Sequence, residues 1–171
     1  DRMAFTIFFA TSTGKTEDVA DRLKELLPGT EAKDVDSIGG VDDLTSAEAL
    51  ICCVPTWNTG ADEARSGTAW DDLVQEIPDQ DFAGKPVAIL GLGDSSGYSD
   101  FFCDAMEELH SAFVSAGAKV IGKTATDGYT YDDSKSVIDG KFCGLPLDED
   151  NESELTDQRL NAWITQIQSE A

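Results

Sequence analysis

Basic residues are scarce in this chain, 12 against 34 acidic ones, and the formal net charge over 171 residues is −22. Such a surface repels nucleic-acid phosphates and anionic lipid, which excludes nucleic-acid binding, and it attracts basic protein partners over roughly a Debye length of 8 to 10 Å. Histidine is nearly missing, His110 being the only one, and the four cysteines form no C-x-x-C pair. No metal site or dithiol redox pair can be assembled from that set. Cys52 and Cys53 are neighbours in an apolar stretch and point to opposite faces of a strand; together with Cys103 and Cys143 they read as reduced core thiols. His110 lies on the helix of Phe102 and Leu109, next to its polar face, and reads as structural, and Ser12 and Ser95 lack the partners of a hydrolytic triad. No apolar run approaches the ~18 residues of a membrane span, so no membrane insertion is expected, and no signal-peptide pattern precedes the first strand. The start at Asp1 rather than Met accommodates a removed targeting peptide.

Glycine is also missing where the common nucleotide loops need it. Gly14-Lys15-Thr16 ends like a Walker A loop, yet the required earlier glycine is Phe9, and Gly14 stands alone where a dinucleotide fingerprint has three. A nucleoside triphosphatase and a pyrophosphate site are thereby disfavoured, and a monophosphate fits better. What is present is the turn Thr11-Ser12-Thr13-Gly14-Lys15-Thr16, directly after the apolar run Phe5–Phe9. It opens a helix whose stripe of Thr16, Val19, Ala20, Leu23, Leu26 and Leu27 ends at Pro28-Gly29. One hydroxyl there would be an ordinary helix cap. Several hydroxyls, backbone N–H groups and the positive end of a helix dipole, converging on one spot, make a phosphate cradle.

Apolar runs at 4–9, 32–35, 49–54, 87–90 and 120–121 alternate with helical or loop stretches. Continuous apolar strands are buried on both faces, so the pattern predicts a doubly wound α/β fold, a parallel sheet with helices on both sides, in a single domain over 1–171. Phe102, Ala105, Met106, Leu109, Ala112 and Phe113 form one helical face, and Leu160, Trp163, Ile164 and Ile167 form another. Residues 123–140 are polar and rich in Asp, Ser, Thr and Tyr. The run at Val120 is too short for a full strand, so this excursion is expected to interrupt the last one.

Ligands of open α/β sheets bind beyond the carboxyl ends of the strands. Two further loops fall there: Pro55-Thr56-Trp57-Asn58-Thr59-Gly60 and Gly91-Leu92-Gly93-Asp94-Ser95-Ser96-Gly97-Tyr98-Ser99-Asp100. Each carries one large aromatic among turn-forming residues, and Trp57 and Tyr98 could grip a flat ring between them. These three loops, in order and spacing, resemble the FMN-binding loops of the flavodoxin family, and the excursion after Ile121 is similar to the insertion of its long-chain branch. The resemblance implies a five-stranded parallel sheet of order 2-1-3-4-5 with its last strand interrupted.

It also implies a low-potential one-electron carrier using non-covalently bound FMN, cycling between semiquinone and hydroquinone, rather than an enzyme. An NAD(P)H-quinone reductase of the same fold and a flavin-free signalling module are the alternatives. By resemblance Thr11, Ser12, Thr13, Gly14, Lys15 and Thr16 surround the phosphate, and Trp57 and Tyr98 cover the two ring faces. Pro55 and Thr56 lead into the turn Asn58-Thr59-Gly60, which faces flavin N5, while Gly93 and Asp94 meet the pyrimidine edge; Asp100, Phe101 and Cys103 flank the site. Many long-chain members have Asn-Phe three residues after the tyrosine; here Phe101-Phe102 stands there, so no side-chain hydrogen bond carries over. Asp62, Glu63, Asp94, Asp100 and the run Asp148-Glu149-Asp150 are expected near the ring. Each such carboxylate at about 10 Å and an effective dielectric of about 20 opposes an added electron by roughly 1.7 kcal/mol, or about 70 mV. The partners implied are basic redox proteins such as ferredoxin–NADP reductase and photosystem I, the protein a monomer in photosynthetic electron transport, in a cyanobacterial cytoplasm or a plastid stroma after loss of a transit peptide.

Overall fold

The computed structural model describes residues 4–10 and 13–171. Strands β1 (Phe5–Phe9), β2 (Glu31–Asp34), β3 (Ala49–Pro55), β4 (Pro86–Leu92) and β5 (Lys119–Ile121) form a parallel sheet in the order β2-β1-β3-β4-β5. Helices α1 (Lys15–Leu26), α2 (Val41–Thr45), α3 (Trp70–Glu76), α4 (Ala105–Ser115) and α5 (Thr156–Glu170) connect and cover it.

Strands β3 and β4 are buried at every residue, as their unbroken apolar runs require of central strands. Their alternate side chains feed two separate cores. Phe8, Leu50, Cys52 and Ile89 meet the α3 and α4 face with Trp70, Met106 and Phe113, whereas Ile7, Ile51, Cys53 and Leu90 meet the α1 and α5 face with Leu23, Trp163 and Ile167. Cys52 and Cys53 do point to opposite sides, and all four cysteines are buried and unbridged. Burying one such Leu, Ile or Phe side chain contributes about 1.5–3 kcal/mol. Trp70 adds a polar anchor, its indole N–H donating to the Cys53 carbonyl at 2.9 Å.

The last strand position is filled twice. β5 pairs with the first residues of β4, and β9 (Leu145–Leu147) pairs with the last, Leu90–Leu92. Between them the chain leaves the sheet to form a small antiparallel sheet of β6 (Thr124–Ala125), β7 (Val137–Ile138) and β8 (Lys141–Phe142), ordered β6-β8-β7. Gly144 marks the return: a Cβ there would lie 1.9 Å from the Ile89 carbonyl oxygen, so no larger residue fits this approach to β4.

Candidate functional site

A cleft opens at the carboxyl ends of β1, β3 and β4. Its polar end is the start of α1, where Thr13, Lys15 and Thr16 line it. Gly14 holds φ at +91°, a left-handed conformation, and a Cβ added there would meet nothing within 4 Å. The N-cap residue, Gly14, has no side chain with which to cap the helix, and a helix's first N–H groups have no partner within the helix itself. Thr11 and Ser12 lie outside the described residues.

The apolar end lies between two loops. Trp57 and Tyr98 are 47% and 52% exposed, two of only four large hydrophobic side chains that are exposed among the described residues, and both line this cleft. Pro55, Thr56, Thr59, Leu92, Gly93, Asp94 and Phe101 complete that end. A flat apolar ring with an anionic tail matches the layout, because exposed aromatics gain most by stacking and a helix N-terminus favours negative charge.

Other expected residues sit beside the cleft rather than on it. Asn58 is exposed and its side-chain amide donates to the Ala64 carbonyl at 2.6 Å, while Gly60 follows in a left-handed turn with φ +81°. Asp100 is exposed and does not line the cleft, nor do Asp62 and Glu63. Cys103, expected to flank the site, does not line the cleft: it is fully buried, and burial pushes its thiol well up. It packs behind Gly93, where an added Cβ would come within 2.8 Å of its Sγ. His110 is half-buried on α4 and does not line the cleft.

The acidic run after β9 divides its labour. Glu149 and Asp150 line the cleft near α1, with Lys15 ion-paired to Asp150 and Arg22 3.4 Å from Glu149. The Asp150 partnership raises the Lys15 ammonium above its ordinary value. Asp148 is fully buried instead, accepting from the Ser95 hydroxyl, from Ser95 N at 3.2 Å and from Asn151 N at 2.9 Å. Asn151 in turn donates to Asp94 at 2.7 Å. Asp94 also accepts from Gly97 N at 2.7 Å and Ser96 N at 3.1 Å; the Gly97 bond is the first cause that holds its carboxyl below the usual range.

The 123–144 excursion braces the loop that carries Tyr98. Phe102 is buried against Tyr129, Tyr131 and Phe142, with the Tyr131 ring stacked at 5.6 Å. Backbone bonds run from Phe102 N to Asp133 O at 3.2 Å and from Asp132 N and Asp133 N to Ser99 O at 3.0 Å each. The buried hydroxyls of Ser134 and Ser136 donate to the carbonyls of Phe102 and Cys103, and Glu107 N donates to Ser136 Oγ at 3.1 Å. Asp104 is buried here too, its carboxyl pushed up by desolvation while it accepts from Lys135 N at 2.8 Å.

A family model described as Flavodoxin matches residues 7–163. The chain is similar to a flavodoxin of Nostoc sp., 43% identical over 166 residues that cover 96% of this chain and 95% of the relative. It is 38% identical over 172 residues to Flavodoxin 1 of Escherichia coli K12, covering 98% and 95%. In structure it is similar to Fusobacterium nucleatum flavodoxin bound to flavin mononucleotide, with a TM-score of 0.89 and 35% identity over 98% of each chain.

Proposed function

Because this chain belongs to the flavodoxin family, we propose that its cleft binds FMN without a covalent link and that the protein, acting as a single FMN-binding domain, carries electrons between redox proteins. It is an electron-transfer protein and not an enzyme, and none of the relatives described above favours a nicotinamide-oxidising or flavin-free alternative. The observation that supports this best is the pair of exposed aromatics, Trp57 and Tyr98, on loops after adjacent strands, in one cleft with the α1 N-terminus. FMN supplies the redox chemistry when bound, accepting and releasing electrons singly.

The chain's own residues do the rest. Thr11 to Thr16 hold the phosphate through hydroxyls and backbone N–H groups, with Lys15 adding a charge. Trp57 and Tyr98 stack on the two ring faces and exclude water from them. The turn Asn58-Thr59-Gly60 would offer backbone groups to the ring from one side of the cleft, and Gly93 and Asp94 would meet it from the other. Asp94 on the cleft wall opposes added negative charge by roughly 70 mV at about 10 Å and an effective dielectric of about 20, which supports a low potential, while Lys15 and Arg22 offset much of the charge of Asp150 and Glu149. With a formal charge of −22 the surface suits basic redox partners, and docking with them weakens as salt rises. Ferredoxin–NADP reductase and photosystem I fit that description, in a cyanobacterial cytoplasm or plastid stroma. No described helix is long and apolar enough to cross a membrane.

The test is the visible spectrum of the purified protein, with the released cofactor identified chemically and the flavin-free protein titrated with FMN. One FMN per chain and stepwise one-electron reduction are expected. A protein that stays colourless after FMN addition overturns the reading.

A further inference from the structure

We propose that Arg65 is the positioning residue of the Trp57 loop, its buried guanidinium fixing the place of the Trp57 indole and of the peptide after it before any cofactor arrives. The geometry stands alone, and its meaning for FMN binding rests on the function proposed above. Among the described residues Arg65 is the only buried basic side chain, at 7% exposure, in a chain with just 12 basic residues. Desolvating a cation is costly unless every donor is matched. Here the matching is complete enough to define a loop.

The Nε–H donates to the Ala61 carbonyl at 3.1 Å and Nη2 to the Asp62 carbonyl at 3.0 Å. Nη1 reaches α4, meeting the Asp104 carbonyl at 3.2 Å and Glu107 Oε1 at 2.9 Å. The main chain repeats the pattern. The Arg65 carbonyl accepts both Trp57 N at 3.1 Å and Asn58 N at 3.0 Å, closing the loop on itself. Arg65 N and Ala64 N then donate to the two carboxylate oxygens of Glu108 at 2.7 and 3.0 Å. Gly67, at φ +67°, lets the chain pass beneath the aromatic, since a Cβ there would stand 3.0 Å from the Trp57 Cβ.

The same residue therefore binds the α4 carboxylates with its side chain and the Trp57 and Asn58 amides with its carbonyl. A planar five-donor fork can satisfy two loop carbonyls and a helix at once; a lysine places its donors at a single point. A loop already folded loses little conformational freedom when its aromatic stacks on a ring, and that preorganisation favours binding.

The test uses the full chain with ¹⁵N-labelled tryptophan, freed of flavin and then titrated with FMN, for Arg65→Met, Arg65→Lys and Glu108→Gln. In Arg65→Met the indole N–H resonance of Trp57 should move while those of Trp70 and Trp163 stay, and FMN should bind about tenfold more weakly, a loss of about 1.4 kcal/mol. Arg65→Lys should recover part of both effects, and Glu108→Gln should move both in the same direction by less. If Arg65→Met folds, even with a lowered Tm, and keeps the native Trp57 resonance and FMN affinity, the proposal is overturned. If Arg65→Met does not fold, Glu108→Gln decides: a native Trp57 resonance and affinity overturn it, and the shifts described support it. If the unaltered protein takes up no FMN, the carrier reading fails, and the flavin-free indole resonances alone decide the role of Arg65.

Discussion

Trp57 and Tyr98 stand on loops that follow neighbouring strands and line one cleft, yet different chemistry fastens the two loops. The Trp57 loop is wound around a buried cation that reaches carboxylates on α4. The Tyr98 loop is held mostly by neutral bonds, serine hydroxyls and backbone amides of the 123–144 excursion, with Phe102 set among its aromatic rings. The first arrangement depends on a few strong, geometrically demanding contacts. The second spreads the work over many weaker ones, so an insertion that looks peripheral in sequence, and lines none of the cleft itself, braces the loop that forms one wall of the site. Both loops meet at the start of α4, because Asp104, Glu107 and Glu108 face Arg65 while Asp104 and Glu107 also bond the excursion.

Breaking the neutral side should produce the largest effect. Joint replacement Ser134→Ala and Ser136→Ala strands buried carbonyls and should lower stability by about 2–4 kcal/mol in urea unfolding. The Trp57 indole resonance should stay in place, and its movement would show that the loops are not separately fastened. Truncating the aromatics comes next. Trp57→Ala and Tyr98→Ala should each weaken FMN binding by about 1–3 kcal/mol, on the scale of ring stacking on aromatic side chains. Unaltered affinity in both would remove the sandwich.

Acidity sharpens the contrast within the Tyr98 loop and its support. The folded-state pKa of Asp94 is lowered, mainly by the Gly97 amide, so its stabilisation is present above the unfolded value of about 3.9 and is lost as pH falls through the folded one. Asp104 has the opposite sign. Burial raises its folded value, so its contribution is full below the unfolded value and is lost as pH rises through the folded one. Asp94→Asn should therefore flatten part of the acid decline of stability, and Asp104→Asn part of the decline toward neutral pH. Urea unfolding from about pH 3 to pH 7 separates them. The smallest change concerns the phosphate end. Lys15 and Asp150 form an exposed ion pair, so Asp150→Asn should free the lysine and tighten FMN binding only a few-fold, roughly the worth of a surface pair, with the gain fading in high salt.

Much of this was legible from the amino acids. Buried parallel strands announce themselves as unbroken apolar runs, so β3 and β4 stood out, and the loops after them followed from strand-end geometry. Strand β2 is displaced by one residue from the apolar run at 32–35, because its pairing with β1 starts at Glu31 on an exposed edge. The two-residue strands β6, β7 and β8 are too short to show alternation. Asp148 was hidden for another reason: in a run of three acidic residues nothing marks the one that turns inward to meet Ser95. Arg65 was hidden as well, since a lone arginine in a loop reads as exposed. The signal that could have found it is its isolation, a single base after Asp62 and Glu63, with Glu107 and Glu108 adjacent on a helix.

The interrupted strand at the edge of the main sheet has a consequence for how copies of this chain meet. Long, flat edge strands expose ready rows of amides and carbonyls that recruit another chain into cross-molecule pairing. Here that edge is cut into two three-residue pieces, one carrying exposed Lys119 and the other Pro146, which has no N–H to donate. The opposite edge, β2, is four residues long and holds Glu31 and Lys33. Neither edge of the main sheet offers a long, flat run that could template such pairing.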